Sequence, residues 1–332
     1  MMEHRIGRRT LLGGLAALPL AAASAAHART GTPTVGFLSN FADTDTAGTL
    51  FRNSILEGLA EQGLEASRNL RWLERHASNQ RDRLGPLALE LLADGVEVIV
   101  TTGGATAAGI AAVAGRVPLV FGISGDPIVA GLADSLARPR GNTTGVTIMA
   151  VETNAKRIEI LKEIAPSVRR IALIASPNHP GEAGEIEVCR RTVASLGVDL
   201  LHMPVFNTAD LEKALIQAAE AGADALMALP DGVTIPNRER FAASALARGI
   251  PSGSGWAMFA ESGALMTFGP SPRDCYRRVG YLAARVLAGA RTDELPIEQP
   301  TRFELVVNQR TARAIGLSIP PTILAGADRV IE

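Results

Sequence analysis

Residues 96–127 read VEVIVTTGGATAAGIAAVAGRVPLVFGISGDP, and this stretch decides the fold. Val96–Thr101 is a short run with almost no polar interruption, as expected of a strand buried on both faces. Thr102-Gly103-Gly104 turns the chain, Ala105–Ala114 reads as a helix of small residues, and Pro118–Ile123 is a second apolar strand. A strand, a crossover helix and another strand of this length form a right-handed unit of a parallel sheet. The same alternation extends both ways. Upstream lie a strand at Thr34–Leu38, a helix through Leu50, Ile55, Leu56 and Leu59, a strand at Asn69–Glu74 and a helix at Arg81–Ala93.

Downstream the pattern restarts. Helices are expected at Lys156–Ile164, Glu182–Leu196, Asp210–Ala221 and Asn237–Arg248, with strands at Arg170–Ala175, Val198–Phe206, Ala223–Leu229 and Ala264–Phe268. A long helix over Arg273–Ala288 and a strand at Phe303–Val307 remain, one to complete each array. The expected architecture is α/β: two doubly wound parallel-sheet lobes joined by a multi-strand hinge. One lobe takes residues 33–146 and 269–300, the other 147–268 and 301–332, so the chain crosses between them three times. No linker rich in Pro, Ser or Gly separates them, which keeps the two halves facing across a cleft.

The N-terminus reads as an export signal. Arg5, Arg8 and Arg9 precede an apolar run from Leu11 to Ala26, and Ala26-His27-Ala28 offers a small-x-small cleavage site. Arg8-Arg9-Thr10-Leu11-Leu12 also resembles a twin-arginine signal, so Sec and twin-arginine export both stand. The run is shorter than the ~20 apolar residues that cross a bilayer. The expectation is a signal peptide over residues 1–28 and a mature protein in the periplasm. The whole chain carries a formal charge of −1, and the part after residue 28 is slightly more acidic. A surface of that sign lacks the basic stripe that neutralises nucleic-acid phosphates. The histidines and the two cysteines, Cys189 and Cys275, have no zinc-ligand spacing. A disulfide between the two cysteines stays open. No cofactor fingerprint is present, since Thr102-Gly103-Gly104 has neither the third glycine of a dinucleotide loop nor the lysine of a P-loop.

In parallel α/β sheets, ligands bind where strand ends lead into helix starts. Here those loops are small and polar: Ser39-Asn40, Thr102-Gly103-Gly104, Ser124-Gly125-Asp126-Pro127, Ser176-Pro177-Asn178 and Pro230-Asp231-Gly232. Such loops offer N–H groups and hydroxyls to an anionic group, and Asp126 and Asp231 are placed to answer a cationic one. With aromatics at 4% of the chain, Trp256 and Phe259 stand out as an apolar wall for a ligand. Each position also has a purely structural explanation. Thr102–Gly104 serves as a tight turn, Ser39, Ser124 and Ser176 as helix caps, Asp126-Pro127 as a helix opening, and Trp256 and Phe259 as ordinary packing. Trp72 reads as core.

These residues resemble the substrate-binding proteins of ABC importers with a type I periplasmic-binding fold, the group with tryptophan- and tyrosine-binding members. The resemblance covers nearly all of the chain after residue 28. It is carried by Gly122–Pro127 (GISGDP), Gly131–Thr147 (GLADSLARPRGNTTGVT), Leu295–Gly316 (LPIEQPTRFELVVNQRTARAIG) and the ending from Ile319 to Glu332. It implies a clamshell that closes on one small molecule, needs no cofactor, and delivers its cargo to an ABC permease in the inner membrane. It also implies ligand contacts at Ser39, Thr102–Gly104, Asp126, Asn178 and Asp231. Arg140, Met258-Phe259 and Thr267-Phe268-Gly269 depart from the usual pattern, and these changes bear on the ligand rather than the fold. Amino acids, small organic acids and amides all suit opposed polar loops. A monomer is expected. Two other readings share the cleft: an exported hydrolase using Ser124, His179 and Asp231, and a sensor that signals closure to a membrane receptor.

Overall fold

The computed structural model describes residues 31–148 and 151–332; the export signal read over residues 1–28 lies outside them. The first sheet is built from β1 (Thr34–Ser39), α1 (Thr46–Ala60), β2 (Arg71–His76), α2 (Leu84–Ala93), β3 (Val98–Thr102), α3 (Gly104–Ala111) and β4 (Leu119–Ile123). A small hairpin, β5 (Ala133–Ser135) and β6 (Arg138–Pro139), precedes β7 (Thr143–Thr147). The strands run in the order β2-β1-β3-β4-β7, all parallel. Every residue of β1, β3, β4 and β7 is buried, because helices cover both faces.

The second array follows: α4 (Val151–Ile164), β8 (Arg170–Ala175), α5 (Glu182–Ser195), β9 (Asp199–Pro204), α6 (Thr208–Glu220), β10 (Ala225–Ala228), α7 (Arg238–Ala247), β11 (Ser252–Ser254), α8 (Ala257–Glu261) and β12 (Met266–Pro270). The chain then returns to the first sheet with α9 (Pro272–Leu287). It ends in the second with β13 (Phe303–Asn308), α10 (Gln309–Ala314), α11 (Pro321–Gly326) and β14 (Arg329–Ile331). Strand order there is β14-β13-β12-β11-β10-β8-β9, with β13 antiparallel to β12. The molecule is therefore a mixed α/β protein of two lobes. Between α9 and β13, Glu298 bridges to Val146 of β7. Its N–H donates to Gly145 and its carbonyl accepts from Thr147, so neighbouring segments brace the crossing.

Several helices start where a short polar side chain accepts an N–H that the helix leaves free. Asp45 accepts from Gly48 at α1, Asn207 from Asp210 at α6 and Ser271 from Asp274 at α9. On α1, Phe51, Ile55 and Leu59 are buried. Leu50, expected on that face, is at the solvent boundary because Phe51 takes the inward position. α1 packs on α9 at a backbone-to-backbone crossing. An ideal Cβ on Gly58 would lie 1.9 Å from the Arg277 carbonyl oxygen, and one on Gly280 2.1 Å from that of Ile55. Only glycine permits that approach.

Other differences from the sequence reading have local causes. The helix read from Arg81 begins as a single 3-10 turn, Arg81–Arg83. Trp72 lies on the edge strand β2 and is only partly buried, stacked on Phe37 at 5.5 Å. The strand β11, Ser-Gly-Ser, carries no β-branched residue. The cysteines are both free and buried, one on α5 and one on α9, in different lobes. Among the described residues, no helix is long and apolar enough to cross a membrane.

Candidate functional site

A cavity of about 210 Å3 lies between the lobes, at the carboxyl ends of both sheets. The first lobe contributes Asn40 and Phe41 after β1, Asn79 and Arg81 after β2, Thr102, Gly103, Gly104 and Thr106 around the start of α3, and Ser124 after β4. The second contributes Ser176, Asn178, His179 and Pro180 after β8, Phe206–Thr208 after β9, and Asp231–Val233 with Ile235–Asn237 after β10. Trp256, at the start of α8, faces it as well.

One end of the cavity is polar and underused. Thr102 is fully buried, yet its Oγ1 has no hydrogen-bond partner in the protein. Beside it α3 opens on Gly103, whose φ of 89° suits glycine and which supplies no side-chain cap. The first N–H groups of a helix have no intrahelical partner, and here Gly104 and Thr106 bring theirs to the cavity wall, while the Gly103 N–H donates to the Gly122 carbonyl. Asn40 donates from Nδ2 to Asn79, but its buried Oδ1 has no partner. The arrangement offers an N–H and hydroxyl cradle to a carboxylate and a carbonyl acceptor to a donor group.

The opposite character comes from four aromatic rings. Phe51 stacks on Tyr276 with ring centres 4.3 Å apart, and meets Trp256 edge-on at 6.0 Å and Phe41 at 5.8 Å. All four are buried. The Tyr276 hydroxyl donates to the Gly122 carbonyl, which leaves its ring face as the part that meets a ligand. Phe206 stands exposed at the rim.

The lobe-two wall rests on a buried charge network. Asp231 accepts the Ser176 N–H at Oδ2, and the Val233 and Thr234 N–H groups at Oδ1. Burial raises its pKa, against the pull of His179 and those N–H groups. His179 Nε2 lies 3.2 Å from Glu185. Burial alone disfavours the charged imidazole, but the Glu185 carboxylate, helped by Asp231 and Glu182, holds its pKa above the ordinary histidine value. Burial likewise works against the Glu185 carboxylate, and His179, Asn154 and Arg157 overcome it, keeping that pKa low. Arg157, buried on α4, donates to the Phe268 carbonyl and to Asn154. Burial lowers its pKa to about 10, so it stays a cation.

Of the residues singled out from sequence, Asn40, Thr102, Gly103, Gly104, Ser124, Asn178, Asp231 and Trp256 come together on the cavity wall. Ser39 and Asp126 do not. Ser39 sits under the chain, with its Oγ accepting the Phe41 N–H. Asp126 points its carboxylate back along its own loop, accepting from Ile128 and Val129. Both are turn-forming residues. Asp231 reaches the wall, but its two oxygens are engaged by three backbone N–H groups. Phe259 is core, edge-on to Phe241. No hydrogen bond joins Ser124 to His179 or His179 to Asp231 among the described residues, so the hydrolase set is not assembled. Sequence reasoning missed Phe41, Phe51 and Tyr276, whose signal was the scarcity of aromatics. It also missed Asn79 and Arg81, which follow a strand end. Among the described residues no group of His, Cys, Asp and Glu is placed to hold a metal.

A family model described as ABC transporter substrate binding protein matches residues 44–331. The chain is similar to a tyrosine-binding protein of Clostridioides difficile (strain R20291). The two are 19% identical over 267 residues, covering 80% of this chain and 76% of the relative. Among solved structures it resembles an ABC domain from Streptococcus pneumonia in complex with L-Trp, with a TM-score of 0.84 and 22% identity over 91% of this chain and 100% of the other. A conserved domain protein from Vibrio cholerae gives 0.81 and 24%, over 90% and 99%. At this identity the structural likeness speaks for the fold.

Proposed function

Because the chain belongs to the family of ABC transporter substrate binding proteins, we propose that it holds one amphipathic amino acid between its lobes and presents it to a membrane permease for import. It is a binding protein, not an enzyme. The observation that carries the ligand class is the pairing, in one small cavity, of the Thr102–Gly104 cradle with the Phe41, Phe51, Trp256 and Tyr276 wall. A carboxylate fits the first and an aromatic or large apolar side chain the second. Asn40 Oδ1, buried and without a partner in the protein, accepts from the ammonium group. A tyrosine-binding relative and a neighbour solved with L-Trp support the same class. Contacts from both lobes favour the closed form by their differential affinity for it.

Export to the periplasm belongs to the same proposal, supported by the sequence of residues 1–28. Thermal denaturation with L-tryptophan, L-tyrosine, L-phenylalanine, L-lysine and L-glutamate tests the ligand class. A ligand at a hundred times its Kd adds about 2.7 kcal/mol to the native state, and the aromatic amino acids should give the shift. A shift with L-lysine or L-glutamate alone, or with none of the five, sinks this reading.

A further inference from the structure

Two glycine-bearing loops singled out in the sequence do more than border the cavity. In the first lobe, Gly104 opens α3 and Gly125 follows β4. In the second, Pro180 ends the turn after β8. The Pro180 ring lies against both glycines. An ideal Cβ on Gly104 would come within 3.1 Å of its Cγ, and one on Gly125 within 2.6 Å of its carbonyl oxygen and 3.1 Å of its Cδ. The same carbonyl accepts the Asp126 N–H at 2.9 Å. This is a direct hydrogen bond from one lobe to the other.

Both sides of the contact are held in place. The Gly125 carbonyl accepts from the Thr147 hydroxyl at 3.0 Å, and the Asp126 carboxylate braces its own loop through Ile128 and Val129. Opposite, His179 N–H donates to Ser176, and Glu182 N–H to His179. Neither loop can retreat cheaply, so a side chain at Gly125 must push the lobes apart.

We propose that Pro180, seated between Gly104 and Gly125 and bonded to Asp126 N–H, is a latch residue that stabilises lobe closure independently of ligand. Its strength then sets the fraction of empty protein already closed, and with it the apparent affinity, since affinity scales with the competent fraction. The inference rests on the two-lobed binding-protein reading above, but not on the identity of the ligand.

The test compares wild type, Gly125→Ala, Pro180→Ala and the control Gly184→Ala, whose added Cβ meets nothing within 4 Å. Small-angle scattering of the ligand-free proteins should show Gly125→Ala and Pro180→Ala more extended than wild type and the control. Calorimetry with L-tryptophan should show both weakened by about tenfold for a tenfold loss of closed population. If circular dichroism shows Gly125→Ala unfolded, Pro180→Ala decides, since it adds no bulk and removes the ring seated against Gly104 and Gly125. Superimposable ligand-free scattering for wild type and the folded latch variants overturns the latch. Failure of wild type to bind L-tryptophan tells against the ligand class instead, while the ligand-free scattering still decides the latch.

Discussion

The hydroxyl of Thr102 is enclosed by protein and bonded to none of it, which is costly unless something else bonds it. Thr102→Val keeps the shape and removes that group. A charge-assisted hydrogen bond contributes about 1.5–3 kcal/mol, so calorimetry should show ligand affinity reduced at least about tenfold, with an unchanged or raised melting temperature in the empty protein. Equal affinity for both proteins would remove Thr102 from the site. His179 gives a second test. Its pKa is raised in the folded state, so its stabilising contribution is complete below the ordinary value near ~6.5 and is lost as pH rises through the folded value. Melting temperature should decline over that window, and His179→Gln should flatten the decline; an unaltered pH profile removes this role. Burial pushes the Cys189 and Cys275 thiols up to about 12. Both should resist a thiol reagent in the native protein and react in denaturant. At this scale the sequence was legible only in part. Thr102, Asn178 and Asp231 follow strand ends, where the fold places ligand-facing groups. Ser39 and Asp126 follow strand ends too, but a short polar side chain satisfies its own turn as readily as a ligand. Phe51 and Tyr276 lie inside helices, away from any strand end, so nothing singled them out; both are buried and form part of the cavity wall.

Between elements, α1 and α9 cross backbone to backbone at Gly58 and Gly280. Gly58→Ala puts a methyl group where the Arg277 carbonyl stands. Overpacking of this kind costs about 1–3 kcal/mol, so the denaturation midpoint should fall; no fall would mean the helices separate freely. Since α1 carries Phe51 and α9 carries Tyr276, the same variant should weaken ligand binding without touching the cavity. Most elements were legible because apolar strands alternate with amphipathic helices. The exceptions lack that signature. β11 has three residues and no branched side chain, β14 is a half-buried edge, and α10 and α11 are six-residue helices capped or opened by Asn308 and Pro320. Their places are fixed by neighbours, through contacts that no local pattern announces.

Across the whole molecule, neither lobe is a continuous stretch of chain. The first sheet receives α9 from beyond the second array, and the second receives β13 and β14 from beyond α9. Truncation after residue 300 should leave the Met266–Pro270 strand without its antiparallel partner and expose the apolar residues that Leu305 and Val307 cover, Leu265 and Met266 among them. Limited proteolysis should then digest the second lobe first, and a resistant truncated protein would contradict that dependence. The two-lobe plan was legible because the alternation restarts midway, and the leftover helix and strand had no home in a single array. The relative closure of the lobes was not, since it depends on Pro180 meeting two glycines that no spacing connects. The interleaving has a consequence for biogenesis. A nascent chain leaving the ribosome cannot finish the first half until α9 emerges, nor the second until β13 and β14 follow, so apolar strands stay uncovered through most of synthesis. Such a chain keeps apolar surface open to solvent for longer than one whose halves each form from a continuous stretch.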